Sequence, residues 1–418
     1  MPLTHPWYLQ PPFRLPETWY RGAIARLQAR LEENGLDGIL LSNIWNIIYF
    51  SGLFHTATER PFWLFIPAQG EPTFFCPGLD RELVGSWWIT DLEWYFDYPH
   101  HGPFNRLVFE PGPAEDIHAW LLRGLAARGY DRATLGFDGP VPADLAERLR
   151  EVAPQAALKP SGDLCLKLRQ IKTTEELALI RKVLAFQDHL LSYARGYILR
   201  HGIRTTDFEI RHAVERYGAR LLMEAMTPDG RPHSAVGVNL WFTCRAGPAT
   251  GYPHPNQFFY HRLQRGDAIQ LAGFVHIGGY VGECYRALQT MPASDLQRRV
   301  WDVHTAMTEL QAELCRVGAR CNAIAGAVLR LARDAGLSEY IYHRPAHGIG
   351  MEGHQPPYIS LGDETVLEEG MLLSNEPGLY NPAAGWGYNH SNTILVGKER
   401  GIVLNETPLT REWCWLEL

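Results

Sequence analysis

Alternation between helical and strand-like hydrophobic patterns runs along the first part of the chain. Residues 18–35 carry apolar positions at helical spacing and end at "ENGLDG", which feeds the short apolar run "GILLS". Strand-like runs "FWLFIP", "PTFFC" and "ATLGFD" follow, separated by helical patterns over 114–128 and 142–152. This pattern predicts an α/β domain, closed by the Pro/Gly-containing stretch "APQAALKPSGDL". In "RQIKTTEELALIRK", Thr173 or Thr174 precedes Glu175-Glu176 and a long amphipathic run, the pattern of a capped helix start. A second helix is expected over 205–223, strands through 290, helices over 293–316 and 321–335, and strand-rich segments to the end. The expected organisation is an α/β domain over 1–168 and an α+β domain over 169–418.

Bulk properties narrow the function classes. A chain of 418 residues exceeds one ordinary core, consistent with two domains. The net charge of −7 without a long basic run argues against nucleic acid as a partner. Seven scattered cysteines without a CxxC pair suggest reduced thiols. The N-terminus lacks a basic region followed by an apolar one, and "GILLSNIWNIIYFSGLF" is too interrupted to span a bilayer. A cytoplasmic protein with no membrane partner is the expectation.

The polar residues of interest lie in the second half. "QLAGFVHIGGYVGECYRAL" (270–288) reads as two strands joined at Gly278-Gly279, with one acid, Glu283, on its second arm. "GYPHPN" supplies His254, "PAHGIGMEGHQPPY" supplies His347 and His354, "LLSNEPGLY" supplies Glu376, and "GYNHSNTILV" supplies His390 and Ser391. A lone His in a proline-rich loop is more often structural than catalytic, and an acid before Pro-Gly is often turn chemistry. Convergence of several such residues at the ends of apolar strands in one domain points instead to a strand-built active site. Glu283, His347 and Glu376 could hold one Mn, Zn or Fe ion; a pair of ions would be short of bridging carboxylates.

These motifs, in this order, resemble the pita-bread (M24 peptidase/creatinase) family of aminopeptidase P, prolidase, methionine aminopeptidase and creatinase. The resemblance implies a C-terminal pita-bread domain of α+β class (creatinase/aminopeptidase-like), preceded by a smaller α/β creatinase-type domain. The five metal-ligand positions of the family's peptidases fall on Ala272, Glu283, His347, Glu376 and Ser391, so two have lost a carboxylate. "NIIYFSGLFHTATER", "WFTCRAGPATGYPHPN", "HGIGMEGH" and "SNEPGLY" are similar to the metal-independent creatinase/ectoine hydrolase branch. That branch implies a homodimer in which Arg60 of the N-terminal domain reaches the partner's active site to hold a substrate carboxylate. Without the resemblance, Arg60 reads as a surface ion pair, for instance with Glu59. The branch's guanidinium-binding glutamate and second carboxylate-binding arginine fall on Tyr285 and Tyr358.

The resulting expectation is a cofactor-free hydrolase cleaving an amidine, guanidine or amide C–N bond in a small carboxylate-bearing molecule. In it His254 is the general base and acid, with Glu376 and His347 catalytic. Arg60, Glu283, Tyr285, His354, Tyr358 and His390 bind substrate. The alternatives are a metal-dependent Xaa-Pro dipeptidase or aminopeptidase, and a non-catalytic pita-bread binding module.

Overall fold

The computed structural model describes residues 6–55, 58–96, 116–226, 237–254 and 260–418, and the chain divides into two compact units. Leu15–Arg169 form one; Gln170–Leu418, joined by the N-terminal segment up to Arg14, form the other. That segment was expected to belong with the first domain, but Leu9 and Phe13 are buried in the core of the second.

The first unit is a six-stranded mixed sheet with helices. Gly38–Leu41 lies at its middle, antiparallel to Trp63–Pro67 and parallel to Thr134–Phe137, and all four of its residues are buried. Burial on both faces explains why this strand reads as a continuous apolar run. The interrupted stretch after it holds a helix, Ile44–Ser51, started by the Asn43 side chain accepting from the Trp45 amide and ended by Gly52 at φ +70°. All seven cysteines of the chain are buried and unpaired.

In the second unit the long helix Thr174–His201 begins with the expected cap: Thr173 and Glu176 satisfy each other's backbone amides in a capping box. This helix packs on a sheet whose strands run Trp415–Leu416, Cys284–Thr290, Ala268–Ile277, Asn239–Ala246, with Tyr280–Val281 paired to Ala268–Ile277. A second sheet runs Gln355–Ile359, Ala346–Gly348, Leu372–Asn375, Asn392–Leu395, Ile402–Val403. The two sheets meet where Tyr285 and Ser391 exchange backbone hydrogen bonds.

The hairpin read from the sequence is present, with Gly278 and Gly279 turning at φ +59° and +83°. Its second arm breaks at Gly282-Glu283 before resuming at Cys284. Two features fix that break. Gln187 of the long helix donates to the Gly273 and Gly282 carbonyls, at 2.9 and 2.7 Å, clamping both arms together. A Cβ at Gly282 would sit 2.3 Å from Leu184, so only glycine lets the helix approach this closely. Among the described residues no helix is long and apolar enough to cross a membrane.

Candidate metal centre

Glu283 leaves the broken arm fully buried, gripped through its backbone: its amide donates to Thr393 Oγ1, and its carbonyl accepts from the same hydroxyl. His347 comes from Ala346–Gly348, whose register sets it opposite Ser374. Glu376 follows Leu372–Asn375 and is held by its amide donating to the Pro345 carbonyl at 2.8 Å. Three backbone segments thus deliver three side chains to one point.

The His347 Nδ1–H donates to the Gly348 carbonyl at 3.0 Å, because a carbonyl can only accept. Nε2 therefore faces the acids, 3.2 Å from Glu376 Oε1 and 3.7 Å from Glu283 Oε2. It is buried and makes no directed hydrogen bond. His354 stacks on His347 with ring centroids 3.7 Å apart, and ligand atoms of Glu283, His347 and His354 lie within 4.8 Å of one another. Ser391 Oγ donates to Glu283 Oε1 at 3.1 Å and lies 3.1 Å from Ser374 Oγ.

Burial and then the nearby Glu376 charge push the Glu283 carboxyl up to about 7. Burial acts the same way on Glu376, but there the adjacent His347 outweighs it and holds the group below its ordinary value. For His347 burial favours the neutral ring, yet the two carboxylates prevail and raise it. His354 is depressed to about 4, first by burial and then by the His347 charge. The cluster is a pocket of negative charge that wants a cation at the His347 Nε2 position.

An imidazole lone pair, a second imidazole and two carboxylates form a donor set suited to one borderline divalent ion. Two carboxylates also offset one dication. Among the described residues a second ion is short of ligands: Ala272 and Ser391 offer no carboxylate where the resemblance places them. Ala272 lies between Thr243 and Tyr285 in the sheet, fully buried.

Other expected site residues fall in different places. His254 is exposed, just after the turn Gly247–Gly251, and close enough to contribute to the depression of His354. Tyr285 shares the sheet face of Ala272, and its hydroxyl is raised well above its ordinary value, by burial and then by the charges of Glu283 and Glu376. Tyr358 pairs with His347 across the strands and carries Arg344 over its ring, 4.4 Å from Cζ to centroid. His390 does not join the site. Its ring turns into the core against Trp301 and His304, and its Nδ1 accepts from the Ala287 amide. Side chains alternate along this segment, so placing Ser391 against Glu283 sends His390 to the other face. Arg60 lies in the first unit and pairs with Glu59 at 2.7 Å, the surface ion pair that the residues alone suggest.

Arg245, on Asn239–Ala246, was missed. Its Nη1 donates to the Tyr252 and Pro253 carbonyls, and the side chain is near enough to interact electrostatically with Tyr380, Tyr285 and Glu376. The signal was present in "WFTCRAGPATG": Trp241, Thr243 and Arg245 alternate and so share one face. Trp241 stacks on Phe274, centroids 5.0 Å apart, and Phe274 meets Tyr285 edge-on at 5.4 Å, giving this face an aromatic wall.

Comparison with known proteins gives two family matches. Residues 178–398 match the model for "Metallopeptidase family M24", and residues 24–171 match the "Creatinase/Prolidase N-terminal domain". An "Xaa-Pro dipeptidase" of Lactobacillus delbrueckii subsp. lactis is 27% identical over 369 residues, covering 85% of this chain and 89% of that protein. An "Xaa-Pro dipeptidase" of Pyrococcus furiosus is 23% identical over 384 residues, covering 92% and 97%. Among solved structures, a dipeptidase from Pyrococcus horikoshii superposes with a TM-score of 0.73 at 23% identity, over 94% of this chain and all of that one. The expected architecture, a creatinase-type N-terminal domain before a pita-bread domain, is present.

The expectation of a cofactor-free creatinase/ectoine hydrolase-like enzyme is corrected by these findings. The matched family is one of metallopeptidases, and the relatives bear the name Xaa-Pro dipeptidase. The loss of two carboxylates suggested a metal-free site. That loss removes ligands for one ion, while Glu283, His347 and His354 still converge on a place for another.

Proposed function

Because the chain belongs to metallopeptidase family M24, we propose that it is a peptidase acting on short peptides of the Xaa-Pro type, with a single divalent ion held by Glu283, His347, His354 and Glu376. The observation that carries this reading is the buried His347 Nε2, free of directed hydrogen bonds and facing two carboxylates. A divalent ion bound there supplies Lewis acidity toward the scissile carbonyl and acidifies water.

The chain's own residues do the rest. Glu376, whose Oε1 lies 3.2 Å from His347 Nε2, is the carboxylate placed to take a proton from the attacking water. His254, on the exposed loop beside His354, gives a proton to the departing nitrogen. The Trp241–Phe274–Tyr285 wall offers an apolar surface to a pyrrolidine ring.

Hydrolysis of glycyl-proline by protein supplied with Mn, Zn or Fe(II), and its loss with chelator, tests the reading. Turnover that requires added metal supports it. Absence of turnover on a panel of Xaa-Pro dipeptides with each ion overturns it.

A further inference from the structure

Among the described residues, the Arg245 guanidinium is a cation near the metal centre that the ion's ligand set does not use. Glu283 and Glu376 together balance one dication, so the Arg245 guanidinium is surplus positive charge on the same site. Its place in the fold is determined by register. Arg245 lies opposite Gln270, Thr243 opposite Ala272, and Ala272 opposite Tyr285, so directly facing residues put Arg245 on the face that carries Ala272 and Tyr285.

The side chain is also held from behind. Both bonds to the Tyr252 and Pro253 carbonyls, at 3.4 and 2.9 Å, leave from Nη1 and fix the guanidinium plane next to the loop bearing His254. Tyr285 lies on the same sheet face, and Tyr380 stands close enough to act on the guanidinium. Tyr380 is itself positioned by His343, whose Nε2 lies 3.0 Å from the hydroxyl. With Nη1 tied back to two carbonyls, the Nε and Nη2 protons of this fixed guanidinium form a fork suited to a planar anion.

The geometry points to Arg245 as the residue that recognises the free carboxylate of the substrate, which would restrict the enzyme to dipeptides with an unblocked C-terminus. This inference rests on the peptidase reading. Arg344, stacked on Tyr358, is the rival cation, but it is exposed and has no comparable support.

The test compares glycyl-proline with glycyl-prolinamide in the metal-loaded wild type and the Arg245→Met, Arg245→Lys and Arg344→Ala variants. KM and kcat are measured separately, and bound metal and melting temperature are recorded. Arg245→Met is expected to raise KM for glycyl-proline roughly 10- to 100-fold, the range for losing a hydrogen bond to a charged group. The carboxamide's KM and the metal content should stay unchanged, Arg245→Lys should recover part of the loss, and Arg344→Ala should have little effect. A fall in kcat on both substrates would overturn the assignment, as would an Arg344→Ala effect exceeding that of Arg245→Met. Should wild type cleave neither substrate, the peptidase reading fails. Calorimetric binding of N-acetylproline and N-acetylprolinamide then decides on Arg245: selective loss of the acid in Arg245→Met supports it, and equal binding overturns it.

Discussion

Tyr285 and Ser391 exchange both of their backbone hydrogen bonds, at 3.1 Å each, and so join the two sheets at the floor of the metal centre. The bridge sets Ser391 Oγ against Glu283 Oε1. It also makes Ser391 the place from which a carboxylate could be added.

Ala272→Asp together with Ser391→Glu returns carboxylates to the two positions where the resemblance places metal ligands. The double variant should bind two divalent ions per chain, against one in the wild type. Without metal it should be less stable than the wild type, because like charges are then packed together in a buried site. Metal titration followed by calorimetry, and thermal melts with and without chelator, check both outcomes.

Arg286 underpins the bridge. Its fully buried guanidinium donates to the Tyr285 and Ser391 carbonyls at 2.6 and 2.8 Å, to Asn392 Oδ1 at 2.9 Å, and to the Thr407 and Pro408 carbonyls. Arg286→Met takes the donor from Asn392 Oδ1 and the Thr407 and Pro408 carbonyls and should cost about 3–5 kcal/mol, given roughly 1–3 kcal/mol for each orphaned group and incomplete additivity. Urea unfolding measures the loss. A cost below ~1 kcal/mol would show that the bridge holds without it.

Acid should destabilise this domain through His304. Burial lowers that imidazole from an ordinary 6.5 to about 3, and its Nε2 accepts from the His390 amide. The unfolded chain therefore binds a proton below pH 6.5 that the folded chain refuses until about pH 3. Stability is fully present above pH 6.5 and falls as pH drops through that window, by up to ~1.4 kcal/mol per pH unit. His304→Gln keeps an acceptor but not the titration. Between pH 7 and 5 it should lose about 2 kcal/mol less than the wild type, as read by urea unfolding at the two pH values.

His254→Ala should lower kcat roughly 10²- to 10⁴-fold, the usual contribution of a positioned acid or base, while leaving metal content and melting temperature unchanged. Equal losses of kcat and bound metal would instead make His254 part of the ion's environment.

Local pattern carried the elements and most of the site residues. The capping box at Thr173, the glycine turn of the hairpin and the apolar strands before His347 and Glu376 are all encoded within a few residues. What escaped depends on contacts between distant segments. Arg245 joins the site only because Asn239–Ala246 pairs with Ala268–Ile277 in a particular register. Arg286 reads as an ordinary charged residue until the chain near Thr407 folds over it. His390 and Ser391 are neighbours in sequence, and only their opposite facing reveals that the serine belongs to the site and the histidine to the core.

The peptidase reading requires one divalent ion at Glu283, His347, His354 and Glu376. Elemental analysis of the protein after reconstitution with Mn, Zn or Fe(II) and exhaustive dialysis, alongside a His347→Ala variant, tests it most directly. Close to one ion per chain is expected in the wild type and almost none in the variant. Two ions per wild-type chain, none, or equal retention by His347→Ala would contradict it.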